Sequence, residues 1–299
     1  MSPKHIDISY RADNGQWHGG KAWFPEETFT SASGNIYQLG RYLNKGSNDT
    51  LFQCFLRSKV TQQPNLAVKF LHKIDNYRKS RFEFEELVLS DLKHPNILHC
   101  HDAGEITTTL NYVQVPFIIT DLFKGNIQFQ ITSQGPLQPL DVKHYVLDLC
   151  NALQYIHDQG VVHRDIKPSN IFISWQNSAI LGDFGIAKTA TDFGETRYPR
   201  DDITIANEFV GPLLWLSPEL STFSQNKLHP VDHRSDLFQL GLVIWYLLTK
   251  EIPRGIIDES DDPSDGQFYH VVQKLLRQKP DKRLQTASAV KSMVEQINI

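Results

Sequence analysis

The sequence predicts an α+β chain of two lobes, β-rich at its N-terminal end and α-helical beyond it. Two observations lead there. Between residues 35 and 120, short runs of β-branched and aromatic residues alternate with turn residues, and after residue 135 the apolar positions recur every three or four residues. A chain of 299 residues is also long enough for two lobes that share a cleft.

Taken in order, residues 1–34 carry glycine and polar clusters with little periodicity and are read as an extension or lid without a predicted structure. The runs "NIYQL", "TLFQCFLR", "LAVKFL" and "VPFIITDL" predict strands, interrupted by one helical pattern over about 78–92 that Pro95 closes. In "PLDVKHYVLDLCNALQYIHDQG" the set Val142, Tyr145, Val146, Leu149, Leu153 and Ile156 marks one helix face, and Gly160 stands where a C-terminal cap belongs. "IFIS" and "AILG", separated by "WQNS", predict a hairpin. The run "LFQLGLVIWYLL" at 237–248 is apolar all round, which predicts a helix buried on every side and is too short for a bilayer. Two amphipathic stretches, about 266–278 and 286–298, close the chain.

Composition narrows the function. Hydrophobic content of 40% and charged content of 21% describe an ordinary globular protein. A net charge of −4 supplies no basic field, so neither nucleic acid nor a membrane surface is an expected partner. Cys54, Cys100 and Cys150 are odd in number and far apart, and read as core thiols in a reducing compartment. With an N-terminus, "MSPKHIDISYRADNG", too polar for a signal peptide, the expected location is cytoplasmic.

One stretch does not fit a core. "VVHRDIKPSNIFI" (161–173) places His163, Arg164, Asp165, Lys167 and Asn170 between two apolar runs. Either it is an ordinary polar loop between strands, or the charges are held there for chemistry, since an unpaired buried charge costs several kcal/mol. Asp165 and Asn170 are five apart, and "DFG" (Asp183, Phe184, Gly185) follows the hairpin, which can fold Asp183 back beside Asn170. Asn170 and Asp183 would then offer oxygen ligands to a hard cation such as Mg2+. Asp165 would remain to orient a hydroxyl nucleophile, with Lys167 offsetting charge on a transferring phosphoryl group. In the other lobe, Lys69 lies in a strand-like run and Glu85 on the helix after it; paired with Glu85, Lys69 would be a fixed phosphate clamp.

At these residues the chain resembles a known family. "HRDIKPSN", "DFG", "AVK" with a helix glutamate, "SPE" and a buried "SD…G" helix, in this order over residues 35–299, are similar to the eukaryotic-type (Hanks-type) Ser/Thr protein kinases. The resemblance implies a protein-kinase-like fold with an N-lobe over 35–120, a hinge over 121–126 and a C-lobe over 127–299. It implies ATP and Mg2+ as cofactors and a protein substrate. Lys69 would hold the α- and β-phosphates and Glu85 would hold Lys69; Asp165 would be the catalytic base, Asn170 and Asp183 the metal ligands, and Lys167 would steady the γ-phosphate and favour Ser/Thr over Tyr. Thr120 falls at the gatekeeper position, backbone groups of Asp121 and Phe123 would meet the adenine edge, and Ala67 and Phe172 its faces. Glu219 of "SPE" would pair with Arg283, and Asp236 would hold the catalytic loop's backbone. Arg164 would bind an anion on the activation segment: Glu208, acting in place of a phosphate, or a phosphorylated Thr204.

Two departures stand out. Where the family places a G-x-G-x-x-G loop over the phosphates, this chain has only Gly40 and Gly46 in "LGRYLNKGSNDTLF". In "FVGPLLWLSPE", Pro212 replaces the usual Thr and Trp215 the usual Tyr. These leave a pseudokinase-like scaffold, binding nucleotide or partners, as the alternative to an active kinase, and a small-molecule phosphotransferase behind both.

Overall fold

The computed structural model of the chain describes residues 4–12, 14–59, 66–108, 112–189, 213–223, 231–253 and 255–299. They form two compact units, one of Met1–Lys93 with Leu98–Phe123, the other of His94–Ile97 with Lys124–Ile299. The first is mostly strand and the second mostly helix, the α+β division that the periodicities predict.

The first unit holds a six-stranded sheet in the order β3 (Thr28–Thr30), β4 (Ile36–Lys45), β5 (Asp49–Leu56), β6 (Leu66–Leu71), β9 (Gln114–Asp121), β8 (Cys100–Thr107). For residues 1–34, an extension or lid whose structure the sequence leaves open, the structure supplies strands. His5–Arg11 (β1) and Trp17–Trp23 (β2) form an antiparallel hairpin that continues in parallel onto the short β7 (Lys73–Ile74), and β3 opens the main sheet before residue 35. On the hairpin's buried face Ile6, Ile8 and Ala22 alternate with exposed Asp7 and Lys21, but Gly20 on that face and the exposed Trp17 and Trp23 on the other blur the pattern. Strand β8 also escapes sequence reading. It is an edge strand of polar residues around Gly104, where a Cβ would meet the Phe117 ring at 2.9 Å and the Ala32 nitrogen at 3.0 Å.

Helix α1 (Asn76–Asp91) follows β7 directly. Asp75 caps it, its carboxylate accepting the Arg78 amide at 2.7 Å, and Phe82, Glu85, Val88 and Leu89 form its buried face. In the second unit α2 (Ile127–Gln134) and α3 (Pro139–Asp158) come first; α3 starts on Pro139, and Gly160 (φ 70°) turns the chain out of it. The two-residue β11 (Val161–Val162) leads into the polar loop, and the hairpin of β12 (Ile171–Ile173) and β13 (Ala179–Leu181) follows it, β12 pairing also with β10 (Gly125–Asn126). After the short α4 (Pro218–Phe223), helix α5 (Arg234–Thr249) is buried at every position over 235–248. Gly241 belongs to its contact with α6 (Gln267–Leu275): a Cβ there would stand 2.8 Å from that of Leu275. Helix α7 (Ala287–Glu295) ends the unit. The three cysteines are free and buried, and among the described residues no helix is long and apolar enough to cross a membrane.

Candidate active site

The polar loop of the second unit is built from α5 outward. Asp236, wholly buried in the first turn of α5, takes the backbone amides of His163 (2.9 Å) and Arg164 (2.7 Å) and the Nε2 of His157 (2.9 Å). Burial by itself would raise its carboxyl, but the hydrogen bond from His157 and the neighbouring donors bring it below the ordinary 3.8. Arg164 is therefore held in a left-handed conformation, φ 70°. Gln239, one turn on, accepts the Ile166 amide at 3.1 Å and donates to the carbonyls of Arg164 and Trp215, both at 3.0 Å. The loop thus takes its shape from two polar side chains, Asp236 and Gln239, of a helix buried throughout 235–248.

That shape aims the candidate catalytic groups. The Asp165 carboxylate receives Lys167 Nζ at 2.7 Å and Asn170 Nδ2 at 2.9 Å, while the same Nδ2 donates to the Asp165 carbonyl at 2.9 Å. With its nitrogen committed twice to Asp165, the Asn170 amide is oriented, and its Oδ1 is the end left to face a ligand beyond a 3.3 Å bond from Ser169. The β12–β13 hairpin returns the chain to this point: the Gly182 amide donates to the Asn170 carbonyl at 3.0 Å, so Asp183 follows one residue later, itself at φ 63°. Next to it Phe184 is fully buried, its ring 4.6 Å from that of His163, whose Nε2 faces the Gly182 carbonyl at 3.1 Å. Burial holds His163 below its ordinary value, and so neutral at pH 7.

Asn170 and Asp183 are hard oxygen donors of the kind that suits Mg2+. Among the described residues no group of three or more His, Cys, Asp or Glu could hold a metal alone. A cation on Asn170 and Asp183 would therefore complete its shell with water and phosphate oxygens, the usual way of binding Mg2+.

In the first unit Lys69 Nζ lies 2.8 and 2.7 Å from the two carboxylate oxygens of Glu85, whose side chain is 5% exposed. Lys69 also sits 5.5 Å above the Phe82 ring. Ala67 and Thr120 stand directly opposite each other in the β6–β9 register, next to Leu66 and Asp121. The Thr120 hydroxyl donates to the Asp121 carbonyl at 3.2 Å, and the Asp121 carboxylate meets His101 at 2.8 Å. Phe123 ends this unit, and Phe172 lies in β12 of the other.

The two glycines have local explanations. Gly40 is inside β4, where a Cβ would come within 2.8 Å of the Phe55 ring and 2.9 Å of the Gln53 carbonyl; at Gly46, before β5, it would meet the Asp49 carboxylate at 2.6 Å. Neither stands in a glycine-rich loop. The register shifts near Tyr42 bend the strand between them.

A structural tie lies further out. Arg283, its side chain fully buried, meets Glu219 through two bonds of 2.6 and 2.7 Å. Burial pushes the Glu219 carboxyl up, yet bonds from Arg283 and from Ser235 (2.5 Å) bring it below the ordinary 4.5. Trp215 is buried with its ring 5.3 Å from Tyr246. Glu208, Thr204 and Pro212 lie outside the described residues.

Sequence reading passed over Gln239, His157 and Ser235. For Gln239 a signal was present: an amide inside the apolar run "LFQLGLVIWYLL" has to be hydrogen-bonded to something.

A model of the protein kinase domain matches residues 37–295. The chain belongs to the protein kinase domain family. This kinase domain is 31% identical over 280 residues to the serine/threonine-protein kinase PknB of Mycolicibacterium smegmatis, a match covering 86% of this chain and 42% of the relative. It is 29% identical over 282 residues to PknB of Mycobacterium tuberculosis, with the same coverage. To the probable serine/threonine-protein kinase PknB of Bifidobacterium longum it is 31% identical over 231 residues, 75% of this chain and 31% of that one. The chain thus spans less than half the length of these curated relatives. Membership of the family implies ATP, a divalent metal and protein substrates.

Proposed function

We propose that this kinase domain transfers the γ-phosphoryl group of Mg-ATP to serine and threonine hydroxyls of proteins, its own chain included. The observation that carries the reading is the Asp165 carboxylate, fixed by Lys167 and Asn170 on a loop whose backbone Asp236 clamps. A carboxylate so fixed is suited to orient a substrate hydroxyl and accept its proton, while Lys167, 2.7 Å away, carries positive charge to the transferring group. Lys69, held by Glu85, is assigned the α- and β-phosphates. Asn170 and Asp183 would hold Mg2+, which when bound bridges phosphate oxygens and offsets their charge.

Ala67, Thr120, Asp121, Phe123 and Phe172 are assigned to adenine, and Gly40 and Gly46 to the phosphate cover. Arg164 is assigned the anion of the activation segment, with Glu208 as its partner and Thr204 as the competing phosphosite. A cytoplasmic location belongs to the same proposal and agrees with three free, buried thiols. One observation favours the second reading, a pseudokinase scaffold: packing against Gln53 and Phe55 of the neighbouring strand already accounts for Gly40.

Incubation with labelled ATP and Mg2+, followed by mass spectrometric mapping of phosphosites, decides between the two. Phosphoserine or phosphothreonine that disappears in Asp165→Ala supports the kinase. Nucleotide binding with no transfer from the wild type refutes it.

A further inference from the structure

We propose that the N-terminal hairpin β1–β2 is a positioning device for α1, and that Trp17 is the residue through which it holds the Lys69–Glu85 pair. The hairpin lies outside the stretch 37–295 that matches the kinase family. It is nevertheless built into the first unit at three places.

The first is backbone pairing. Ser9 and Tyr10 of β1 lie opposite Lys73 and Ile74 of β7, and the Ser9 amide donates to the His72 carbonyl at 2.7 Å. The residue after β7 is Asp75, the cap of α1, so this pairing fixes the point at which the helix begins.

The second is the indole of Trp17. Its ring carries two cations, Lys73 Nζ at 5.5 Å and the Arg78 guanidinium carbon at 5.6 Å from the centroid. Arg78 is in the first turn of α1, with its side chain only 9% exposed; its guanidinium also bonds Asp75 and donates to Asn48 at 3.0 Å. Trp17 therefore closes the outer side of a polar knot that joins β7, the β4–β5 turn and the start of the helix. Arg78 and Glu85 are seven residues apart, two turns along one helix face, and both are buried. A rotation or tilt of α1 that releases Arg78 from the indole also displaces Glu85 from Lys69.

The third is the inner face of the hairpin. Ile6, Ile8, Ala22 and Phe24 are buried, and the Phe24 ring lies 5.2 Å from Phe70, the neighbour of Lys69 in β6. Just ahead of β1, Lys4 Nζ donates to the carbonyls of Leu39 (3.1 Å) and Gly40 (2.9 Å) and pairs with Glu27 at 3.0 Å. The hairpin is thereby tied to β4 and β6 as well as to the helix.

This inference rests on Lys69 and Glu85 acting as the phosphate clamp, and the experiment separates the two. In the full chain, kcat/KM for ATP is measured for the wild type, Trp17→Leu, Trp17→Phe, Glu85→Gln and the double variant Trp17→Leu/Glu85→Gln. Trp17 is 43% exposed, and both of its substitutions keep apolar bulk, so the fold is retained. Trp17→Leu, which has no π face, is expected to lose about fivefold, the scale of a partly exposed cation–aromatic contact, while Trp17→Phe stays within about twofold of the wild type. Amide exchange in the first two turns of α1 rises in Trp17→Leu. In the Glu85→Gln background, Trp17→Leu costs less than about twofold more, because residues acting through one another are not additive. Wild-type kinetics in Trp17→Leu, or the same loss in both backgrounds, overturns the proposal. Wild-type kinetics in Glu85→Gln overturns the clamp reading and the hairpin's role with it. A slow Glu85→Gln beside an unaffected Trp17→Leu refutes the hairpin's role alone.

Discussion

Removing Arg283 is expected to destabilise the second unit more than removing its partner Glu219, and both more than Lys69→Ala does. All five guanidinium donors of Arg283 are used: two on Glu219 and one each on the carbonyls of Arg277 (2.7 Å), Arg234 (2.8 Å) and Gln278 (3.1 Å). Breaking one side of a buried pair costs about 3–5 kcal/mol. Glu219→Ala leaves the guanidinium with its three carbonyls, which places it at the lower end of that range. Arg283→Ala leaves a buried carboxylate with Ser235, strands three carbonyls and removes the cation 4.9 Å from the Phe238 ring. It belongs at the upper end, since a buried carboxylate is left without its arginine while three partly buried carbonyls lose a donor as well. Lys69 is 21% exposed, so water reaches the Glu85 that Lys69→Ala leaves behind and the loss is smaller. At roughly 2–4 °C per kcal/mol the Arg283→Ala melt should fall by about 10–20 °C. Thermal melts followed by circular dichroism measure the order. Equal melts for Arg283→Ala and Lys69→Ala, or a lower melt for Glu219→Ala than for Arg283→Ala, would refute the accounting.

Lys69→Ala and Asp183→Ala should each lower kcat by a factor of about a hundred or more, the scale of one preorganised charge lost from a transition state; wild-type turnover in Asp183→Ala would remove the metal assignment. Asp236→Asn offers a donor to one of the two loop amides now held by a carboxylate, so stability should fall by about 1.5–3 kcal/mol and kcat with it; unchanged melting and turnover would show that the loop keeps its shape unaided. Stability should decline with acid in two stages. Neutral, buried His163, with His72, His94 and His99, all lowered by burial, contributes stability present above 6.5 and lost as pH falls below it. The lowered carboxyls of Glu219 and Asp236 contribute above 4.5 and 3.8 and lose that contribution below, so the gap between wild type and Glu219→Gln should shrink as pH falls under 4.5; a gap that widens in acid would reverse the assignment. If Glu208 serves as the anion for Arg164, enzyme treated with phosphatase stays active and Glu208→Ala does not; activity lost on dephosphorylation and regained by Thr204→Glu points to Thr204.

The elements with strong period were legible without coordinates. The face of α3 and the wholly buried α5 announce themselves because side-chain spacing along a helix is a local property. The candidate site stands out in the sequence for a similar reason: His163, Asp165, Lys167 and Asn170 are within eight residues, so the pattern is carried by the chain itself. What only the tertiary structure decided are relations between distant residues. The N-terminal hairpin has little pattern of its own and is ordered by pairing with β7, more than sixty residues away. The loop's shape depends on Asp236 and Gln239, which stand seventy and more residues beyond it and satisfy its backbone amides. Gly40 reads in sequence as the remnant of a phosphate loop, whereas the space beside it is filled by Gln53 and Phe55 of the neighbouring strand. Periodicity reports which face of an element is apolar, but a buried hydrogen bond or a missing Cβ is explained only by the partner that folding brings to it.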